Sequence, residues 1–393
     1  MKTTVKTTIS ENEYESRRSR LLERMEAENL DAVVLYASKP ESGYVRYYSG
    51  FESDLGILDC SFLVVTTARG GSWTLLTNAF WQEVPAFPRL TDFLVTSDFP
   101  GVLPTVLPAG ARRIGMAPLR QFPADCYQAI RDACCVDTSC VDIKRQLLQL
   151  RAIKSPAEIE ILQEIAGMAD RGAEAFSRAA REGATELDIA AEVEYALRRA
   201  GSGPFIFSTL VCAGPRTGRF IALPGSRRAA NGDIVQLDCG PSLDGYHGDF
   251  SRAICAGSPP EDAARLLNAT AILYERCLSA LAPGRAACDV AREVLKAAGE
   301  LGYGPENFYR SPNVKPGFVG HGIGLGNPDW PQLSTEEPTV LEEGMVLTIE
   351  TILRDSCCGS ARTEDAVAIE KHGARRLSRS PVRLWEIGAG AAR

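Results

Sequence analysis

Residues 231–254 read NGDIVQLDCGPSLDGYHGDFSRAI, and the aspartates Asp238 and Asp249 within this stretch decide how the chain is interpreted. The runs IVQLD and YHGDFSRAI contain β-branched and aromatic residues and flank the turn-rich GPSLDG, which predicts a β-hairpin. A turn centred between Leu243 and Asp244 would place Asp238 directly opposite Asp249, with β-carbons about 5 Å apart. Because two carboxylates that close repel each other, the hairpin predicts a cation between them, most simply a metal ion.

A second pair of carboxylates follows later in the chain. Glu350 ends the strand-like run MVLTIE, and Glu364 lies in ARTEDAVAIE, beyond the turn-rich LRDSCCGS. A turn centred at Cys357 would place Glu350 opposite Glu364 in a second hairpin. Between the two hairpins, His321 lies in the glycine-rich GFVGHGIGLG, where the backbone can approach a ligand closely.

These five side chains form an oxygen-rich ligand set. Four carboxylates and one imidazole suit two divalent ions of manganese, cobalt, iron or zinc. Two such ions lower the pKa of water and polarise a carbonyl group under attack, so the predicted reaction class is metal-assisted hydrolysis. Taken alone, the first aspartate pair is more often a solvated hairpin face than a metal site.

The bulk composition argues against several kinds of partner. The formal net charge is −7 and the pI is near 5.3, which gives no basic field for nucleic acid. No window approaches the roughly 18 apolar residues of a membrane span, and no apolar signal segment opens the chain. We therefore expect a cytoplasmic protein without membrane contact. Twelve cysteines lack CxxC spacing, which favours neither a zinc ribbon nor a disulfide framework.

The order of predicted elements indicates two domains. Residues 1–152 begin with an amphipathic helix capped by Ser10 and continue with short apolar runs between turn signals, an α/β pattern. A long helix then begins at Ser155, where Glu158 completes a capping box. Residues 153–393 alternate long helices with hairpins, which is an α+β pattern.

The motifs resemble those of the pita-bread metallopeptidases, which include methionine aminopeptidase, aminopeptidase P, prolidase and creatinase. YVRYYSGF at 44–51 and LRAIKSPAEIE at 150–160 are similar to N-terminal-domain and linker signatures of the prolidase and creatinase branch. LDCG, GDFSR, GHGIGL, EEGMVLTIE and RTEDAVAI are similar to its catalytic motifs. The resemblance implies a pita-bread catalytic domain at 153–393 behind a smaller creatinase-type α/β domain at 1–152.

The resemblance also implies functional roles. It carries the metal ligands of the family onto Asp238, Asp249, His321, Glu350 and Glu364. It makes Glu350 the acid/base that moves the proton of the attacking water. It further implies a homodimer that acts on a small molecule or a dipeptide.

The chain departs from the peptidase pattern at the histidines that bind substrate. The histidine upstream of Asp233 corresponds to Phe220 or Ile221 in this chain. A histidine that follows the metal histidine corresponds to Pro328, and one that precedes it corresponds to Gly317. These replacements argue against an ordinary Xaa-Pro peptidase pocket and leave the metal ligands intact.

Several functions therefore stay open. The first is a dinuclear metal-dependent hydrolase that cleaves the amide bond of a small substrate, as prolidases do. The second is a metal-dependent lyase of the type that cleaves dimethylsulfoniopropionate, in which the peptidase histidines would not be needed. A creatinase-like amidinohydrolase and a metal-free binding protein are further alternatives, and the intact ligand set counts against both.

Four residues are substrate-side candidates near the predicted metal site. Tyr246 and His247 lie in the first hairpin, where a solvent-facing side chain is the commoner case, although His247 shares the parity of Asp249. Asp329 and Trp330 lie where a substrate histidine is missing. The sequence PDWP around them also suits an ordinary loop.

Two arginines lie close in sequence to predicted ligands. Arg362 shares strand parity with Glu364 and is a candidate to orient ligands or to bind a substrate carboxylate. Arg252 follows Asp249 by three positions. For Arg252, a surface position is as well supported by the sequence as a place beside the ligands.

Overall fold

The structure is a computed structural model of the 393-residue chain. It describes residues 9–38, 43–51, 60–67, 71–78, 90, 92–219, 221–308 and 315–384. Phe220, one of the two positions expected to replace the upstream histidine, lies outside the described residues. The chain divides into two compact units, Met1–Arg151 and Ala152–Arg393.

The first unit is built on a mixed six-stranded sheet, which confirms the predicted α/β pattern. Its strands are β1 (Ala32–Ser38), β2 (Cys60–Thr66), β3 (Ser72–Thr77), β4 (Asp92–Val95), β5 (Arg113–Ala117) and β6 (Ser139–Asp142). Their order across the sheet is β4-β3-β2-β1-β5-β6, with β1, β2 and β3 antiparallel and the outer pairs parallel. The helices are α1 (Glu11–Ala27), α2 (Gly43–Ser49), α3 (Phe99–Val102), α4 (Ala124–Ala133) and α5 (Lys144–Ala152).

The second unit combines long helices with a larger, largely antiparallel sheet, as the α+β pattern predicts. Its helices are α6 (Pro156–Ala179), α7 (Glu186–Arg199), α8 (Glu261–Ala280) and α9 (Ala287–Glu300). Its strands are β7 (Leu210–Ala213), β8 (Ile234–Cys239), β9 (Ser242–Leu243), β10 (Tyr246–His247), β11 (Phe250–Cys255), β12 (Gly320–Gly322), β13 (Asp329–Leu333), β14 (Val346–Asp355), β15 (Gly359–Glu370) and β16 (Gly373–Arg376). The main sheet has the order β13-β12-β14-β15-β11-β8-β7, and β16 pairs with β15.

Helix packing leaves one face of the central strands for the site. On β14, Leu347, Ile349 and Leu353 belong to the same buried cluster as side chains of α8 and α9. Because successive strand residues point to opposite faces, Glu350 points away from that cluster. Each buried leucine contributes about 1.5–3 kcal/mol of stabilisation. No helix in the described part of the chain is long and apolar enough to cross a membrane.

Two predicted helix starts are confirmed. Ser10 accepts a hydrogen bond from the Glu13 N–H at the start of α1. At the start of α6, Ser155 accepts from the Glu158 N–H while the Glu158 carboxylate accepts from the Ser155 N–H, which is the complete capping box. These bonds satisfy amide groups that a helix leaves without partners at its N-terminus.

The first hairpin forms, but its predicted register is wrong. On β8 and β11, the residue opposite Asp238 is Ser251, and Asp249 immediately precedes β11. The inner strands β9 and β10 turn at Asp244-Gly245, whose φ angles of 49° and 74° are typical of a type I′ turn. The turn centre therefore lies one residue later than predicted. Because the register moves by two residues, Asp238 and Asp249 keep the same parity without being directly opposite.

The second hairpin has the predicted register. Strands β14 and β15 pair along their length, and Glu350 lies opposite Glu364. The pairing closes at Asp355 and Gly359, so the turn is centred at Cys357. The second carboxylate pair is thus placed across neighbouring strands, as the sequence predicts.

Candidate metal centre

The five predicted ligands lie on or next to adjacent strands of the second-unit sheet. They are Asp238 of β8, Asp249 before β11, His321 of β12, Glu350 of β14 and Glu364 of β15. All five side chains belong to buried residues, with exposures between 0% and 9%. Residues about 130 positions apart in sequence are brought together because β15 lies between β14 and β11.

Three of the five predicted ligands converge closely. One donor atom from each of Asp249, His321 and Glu364 lies within 4.8 Å of the others. The His321 Nε2 is 3.5 Å from Asp249 Oδ2 and 3.8 Å from Glu364 Oε1. His321 Nδ1 lies 2.7 Å from the Gly322 carbonyl oxygen, which can only accept, so Nδ1 carries the proton. In the neutral ring Nε2 therefore directs a lone pair towards two carboxylates, which is the arrangement of a metal ligand.

The other two predicted ligands, Asp238 and Glu350, both bond to one arginine. The Arg362 guanidinium bonds to Asp238 Oδ2 and to Glu350 Oε1, and its Nε lies 3.7 Å from Glu364 Oε2. Arg362 is 5% exposed. It lies among the ligands, as its strand parity predicts, and it is held by carboxylates on three strands.

Negative charge exceeds positive charge at this site. Burial raises the pKa of Asp238 to about 7; Arg362 opposes this shift, and repulsion from Asp249 adds to it. Burial and the charge of Asp249 hold the pKa of Glu364 well above its ordinary value. A bound cation would stabilise the ionised carboxylates and reverse both shifts.

The residues present fit divalent metal ions. Among the described residues, Asp238 Oδ1 and Glu364 Oε1 are buried and lack a hydrogen-bond partner. Buried oxygens of this kind are costly unless a donor or a metal ion satisfies them. Carboxylate oxygens with one imidazole nitrogen are a common donor set for manganese, cobalt, iron and zinc.

The structure gives the two hairpin candidates different surroundings. The Tyr246 hydroxyl donates to Glu158 Oε1 at 2.9 Å, which ties the hairpin to the start of α6. His247 is buried with 7% exposure, so the solvent-facing position that was the commoner expectation is wrong. Its backbone N–H donates to the Gly324 carbonyl oxygen at 2.8 Å, and this bond joins the hairpin to the loop that follows His321.

Asp329 and Trp330 lie on a strand rather than in an ordinary loop. They begin β13, where Asp329 pairs with Gly322, the neighbour of His321. Asp329 is 5% exposed and Trp330 is half-buried. Pro328, where the sequence predicts a missing histidine, directly precedes this strand, and Ile221, another such position, is 66% exposed.

Two contacts at the ligands were not predicted from the sequence. Ser251 Oγ donates to Glu364 Oε2 at 3.3 Å, and Arg252 is completely buried in an ion pair with Asp365. The surface alternative for Arg252 is therefore wrong. A correct turn centre would have placed Ser251 opposite Asp238. Apart from the Ser251 carbonyl group, the hydrogen-bond partners of Arg252 are over a hundred residues away, so no local sequence signal indicates them.

Comparison with protein families matches both units of the chain. Residues 17–153 match the Creatinase/Prolidase N-terminal domain, and residues 160–371 match the metallopeptidase family M24. A Xaa-Pro dipeptidase of Pyrococcus furiosus is 35% identical over 234 residues, and one of Pyrococcus horikoshii is 32% identical over 231 residues. Each match covers 59% of this chain and 64% of the relative, so the chain spans under two thirds of these relatives' length.

Solved structures extend the similarity over nearly the whole chain. The prolidase of Pyrococcus horikoshii superposes with a TM-score of 0.82 and 25% identity, covering 94% of this chain and 99% of that one. The prolidase of Pyrococcus furiosus superposes with a TM-score of 0.79 and 27% identity, covering 92% and 99%. The fold is a creatinase-type α/β domain followed by a pita-bread domain, and the chain belongs to the metallopeptidase family M24.

Proposed function

We propose that the chain is a metal-dependent hydrolase that cleaves the amide bond of a small substrate, with Xaa-Pro dipeptides as the first substrate class. The observation that carries this proposal is the convergence of buried Asp249, His321 and Glu364, with buried Asp238 and Glu350 on neighbouring strands. The relatives named Xaa-Pro dipeptidase and prolidase support the substrate class. The homodimer and the cytoplasmic location expected from the sequence belong to the same proposal.

The ligand roles follow from the placement of the five side chains. We assign Asp238, Asp249, His321, Glu350 and Glu364 as ligands of two divalent ions. Bound ions of this kind lower the pKa of water and polarise the scissile carbonyl group. The burial of the ligands excludes bulk water, which strengthens the electrostatic interactions within the site.

Glu350 is assigned the proton transfer. Its carboxylate would take a proton from the attacking water and deliver it to the leaving nitrogen of the amide. Arg362 bonds to Glu350 and Asp238 and so holds the Glu350 carboxylate in place beside the other proposed ligands. We expect the remaining contacts with the substrate to be made around β13, by Asp329 and Trp330, which lie where the sequence predicts a missing substrate histidine.

Hydrolysis of dipeptides by metal-loaded protein tests the proposal. The purified chain is stripped with a chelator, reloaded separately with manganese, cobalt, iron or zinc, and given Ala-Pro and Ala-Ala. We expect Ala-Pro cleavage only after reloading, and at least 10²-fold slower turnover in Glu350→Gln, within the usual range for loss of a general base. Arg265→Gln, which alters an exposed ion pair with Asp262, is the matched control and should keep wild-type turnover.

Other outcomes separate the alternatives. Equal cleavage of Ala-Pro by stripped and reloaded protein would refute the metal-dependent mechanism. A second candidate, metal-dependent lyase chemistry, is favoured by Pro328 and Gly317 standing where the peptidases carry histidines. Acrylate release from dimethylsulfoniopropionate without cleavage of any dipeptide would replace the hydrolase by the lyase.

A further inference from the structure

Strand β11 is the structural link between two of the proposed ligands. Ser251 of β11 pairs with Asp238 on β8 on one side and with Glu364 on β15 on the other. Its hydroxyl group donates to Glu364 Oε2 at 3.3 Å. The next residue, Arg252, points to the opposite face of the strand.

Arg252 holds the backbone of its own strand, β11, and of β15, which carries Glu364. Its Nη1 donates to the Ser251 carbonyl oxygen at 2.8 Å and to the Glu364 carbonyl oxygen at 2.9 Å. Its Nη2 donates to both carboxylate oxygens of Asp365, at 3.0 and 2.9 Å. Arg252 and Asp365 are both 0% exposed, so these bonds form without competition from solvent.

The same guanidinium also binds a later segment of the chain. Nη2 donates to the Ser380 carbonyl oxygen at 3.1 Å, and Nε donates to the Pro381 carbonyl oxygen at 2.9 Å. Asp170 of α6 accepts the backbone N–H of Ser380 at 2.7 Å, which fixes this segment in turn. Arg252 therefore joins β11, β15 and the segment after β16 at one point behind the ligands.

We propose that Arg252, with its partner Asp365, is a positioning residue of the metal centre. This inference rests on the proposed function, because it takes Asp249 and Glu364 as metal ligands. Arg252 fixes the carbonyl group of Glu364 itself and lies three residues beyond Asp249. Metal ions accept ligand oxygens only within a narrow range of distances, so a small shift of β15 against β11 weakens binding.

A purely structural role predicts a different result from a positioning role. Replacing a buried ion pair by apolar side chains of similar volume often leaves stability unchanged. The double variant Arg252→Met with Asp365→Leu makes that replacement, and it removes the bonds to the Ser251 and Glu364 carbonyl groups. We therefore expect the double variant to fold, but with the distances between the proposed ligands less firmly fixed.

Titration of chelator-stripped protein with Mn²⁺ by calorimetry measures the effect. We expect the double variant to unfold cooperatively and to bind Mn²⁺ about 10–100-fold more weakly than the wild type, the range found when residues supporting metal ligands are lost. Arg252→Lys, which keeps the charge and loses the fork of donors, should fall between the two. The control Arg265→Met, at an exposed ion pair, should bind as the wild type does.

The outcomes distinguish this inference from the proposed function. A folded double variant with wild-type Mn²⁺ affinity would overturn the positioning role and leave the metal centre standing. If the double variant fails to fold, Arg252→Lys provides the test instead. Wild-type Mn²⁺ affinity in folded Arg252→Lys would overturn the positioning role of Arg252. Absence of Mn²⁺ binding by the wild-type protein would refute the proposed metal centre and the inference with it.

Discussion

Asp238 is subject to opposing effects, because burial disfavours its charged form while the positive charge of Arg362 favours it. It is buried, one carboxylate oxygen bonds to Arg362, and the other lacks a hydrogen-bond partner among the described residues. Burial raises its pKa from 3.8 to about 7. The metal-free folded protein therefore keeps a proton on Asp238 at pH values where the unfolded chain has already lost it.

This shift predicts a pH-dependent effect of the substitution Asp238→Asn. Between about pH 4 and pH 7 the folded state binds more protons than the unfolded state, so the contribution of Asp238 to stability falls as pH rises. Asparagine cannot ionise, and the chelator-stripped variant should gain free energy of unfolding relative to the wild type between pH 5 and pH 7.5. Denaturant unfolding of the variant and the wild type at both pH values measures the difference in their free energies of unfolding. A stability advantage of the variant that shrinks as pH rises would contradict the raised pKa of Asp238.

At the scale of the elements, the two hairpins show what local sequence can and cannot specify. The tip at Cys357 was predicted correctly because long, regular strands on both sides fix its centre. The prediction misplaces the tip at Asp244-Gly245 by one residue, although the Asp-Gly dipeptide, which a type I′ turn favours, is a signal in the sequence that identifies the correct centre. Because an error of one residue in the turn centre changes the register by two residues, the prediction still places Asp238 and Asp249 on the same face of the hairpin.

The short strand β12 depends on Gly320, which precedes His321. Gly320 has φ of 152°, and a β-carbon there would lie 2.1 Å from the Thr348 carbonyl oxygen of β14. In Gly320→Ala the strand must move away from β14 and carry His321 with it. We expect a loss of about 1–3 kcal/mol in unfolding free energy, as for overpacking, together with weaker Mn²⁺ binding.

The helical glycine Gly167 provides the control for that substitution. A β-carbon at Gly167 of α6 has no atom within 4 Å. Gly167→Ala should therefore stabilise the protein by about 0.5–1 kcal/mol through helix propensity, with unchanged Mn²⁺ affinity. Denaturant unfolding and calorimetry on both variants make the comparison, and equal Mn²⁺ affinity in the two would refute the dependence of His321 on Gly320.

At the scale of the whole molecule, sequence motifs predict the two domains but not the long-range contacts within them. The α/β and pita-bread domains follow from motifs at 44–51, 150–160 and the ligand segments, and the family M24 match agrees with them. The bonds from Arg252 to the segment at Ser380 join positions 128 residues apart. No periodicity or turn signal encodes such a bond, because it depends on how finished elements pack.

We propose that the five side chains form one divalent-metal centre, and anomalous diffraction from crystals of this protein soaked in Mn²⁺ would locate the ions. We expect an anomalous peak about 2.0–2.3 Å from donor atoms of Asp249, His321 and Glu364 and a second peak beside Asp238, with both peaks weakened in Glu364→Gln. Soaked crystals without any anomalous peak in contact with these residues would refute the metal centre.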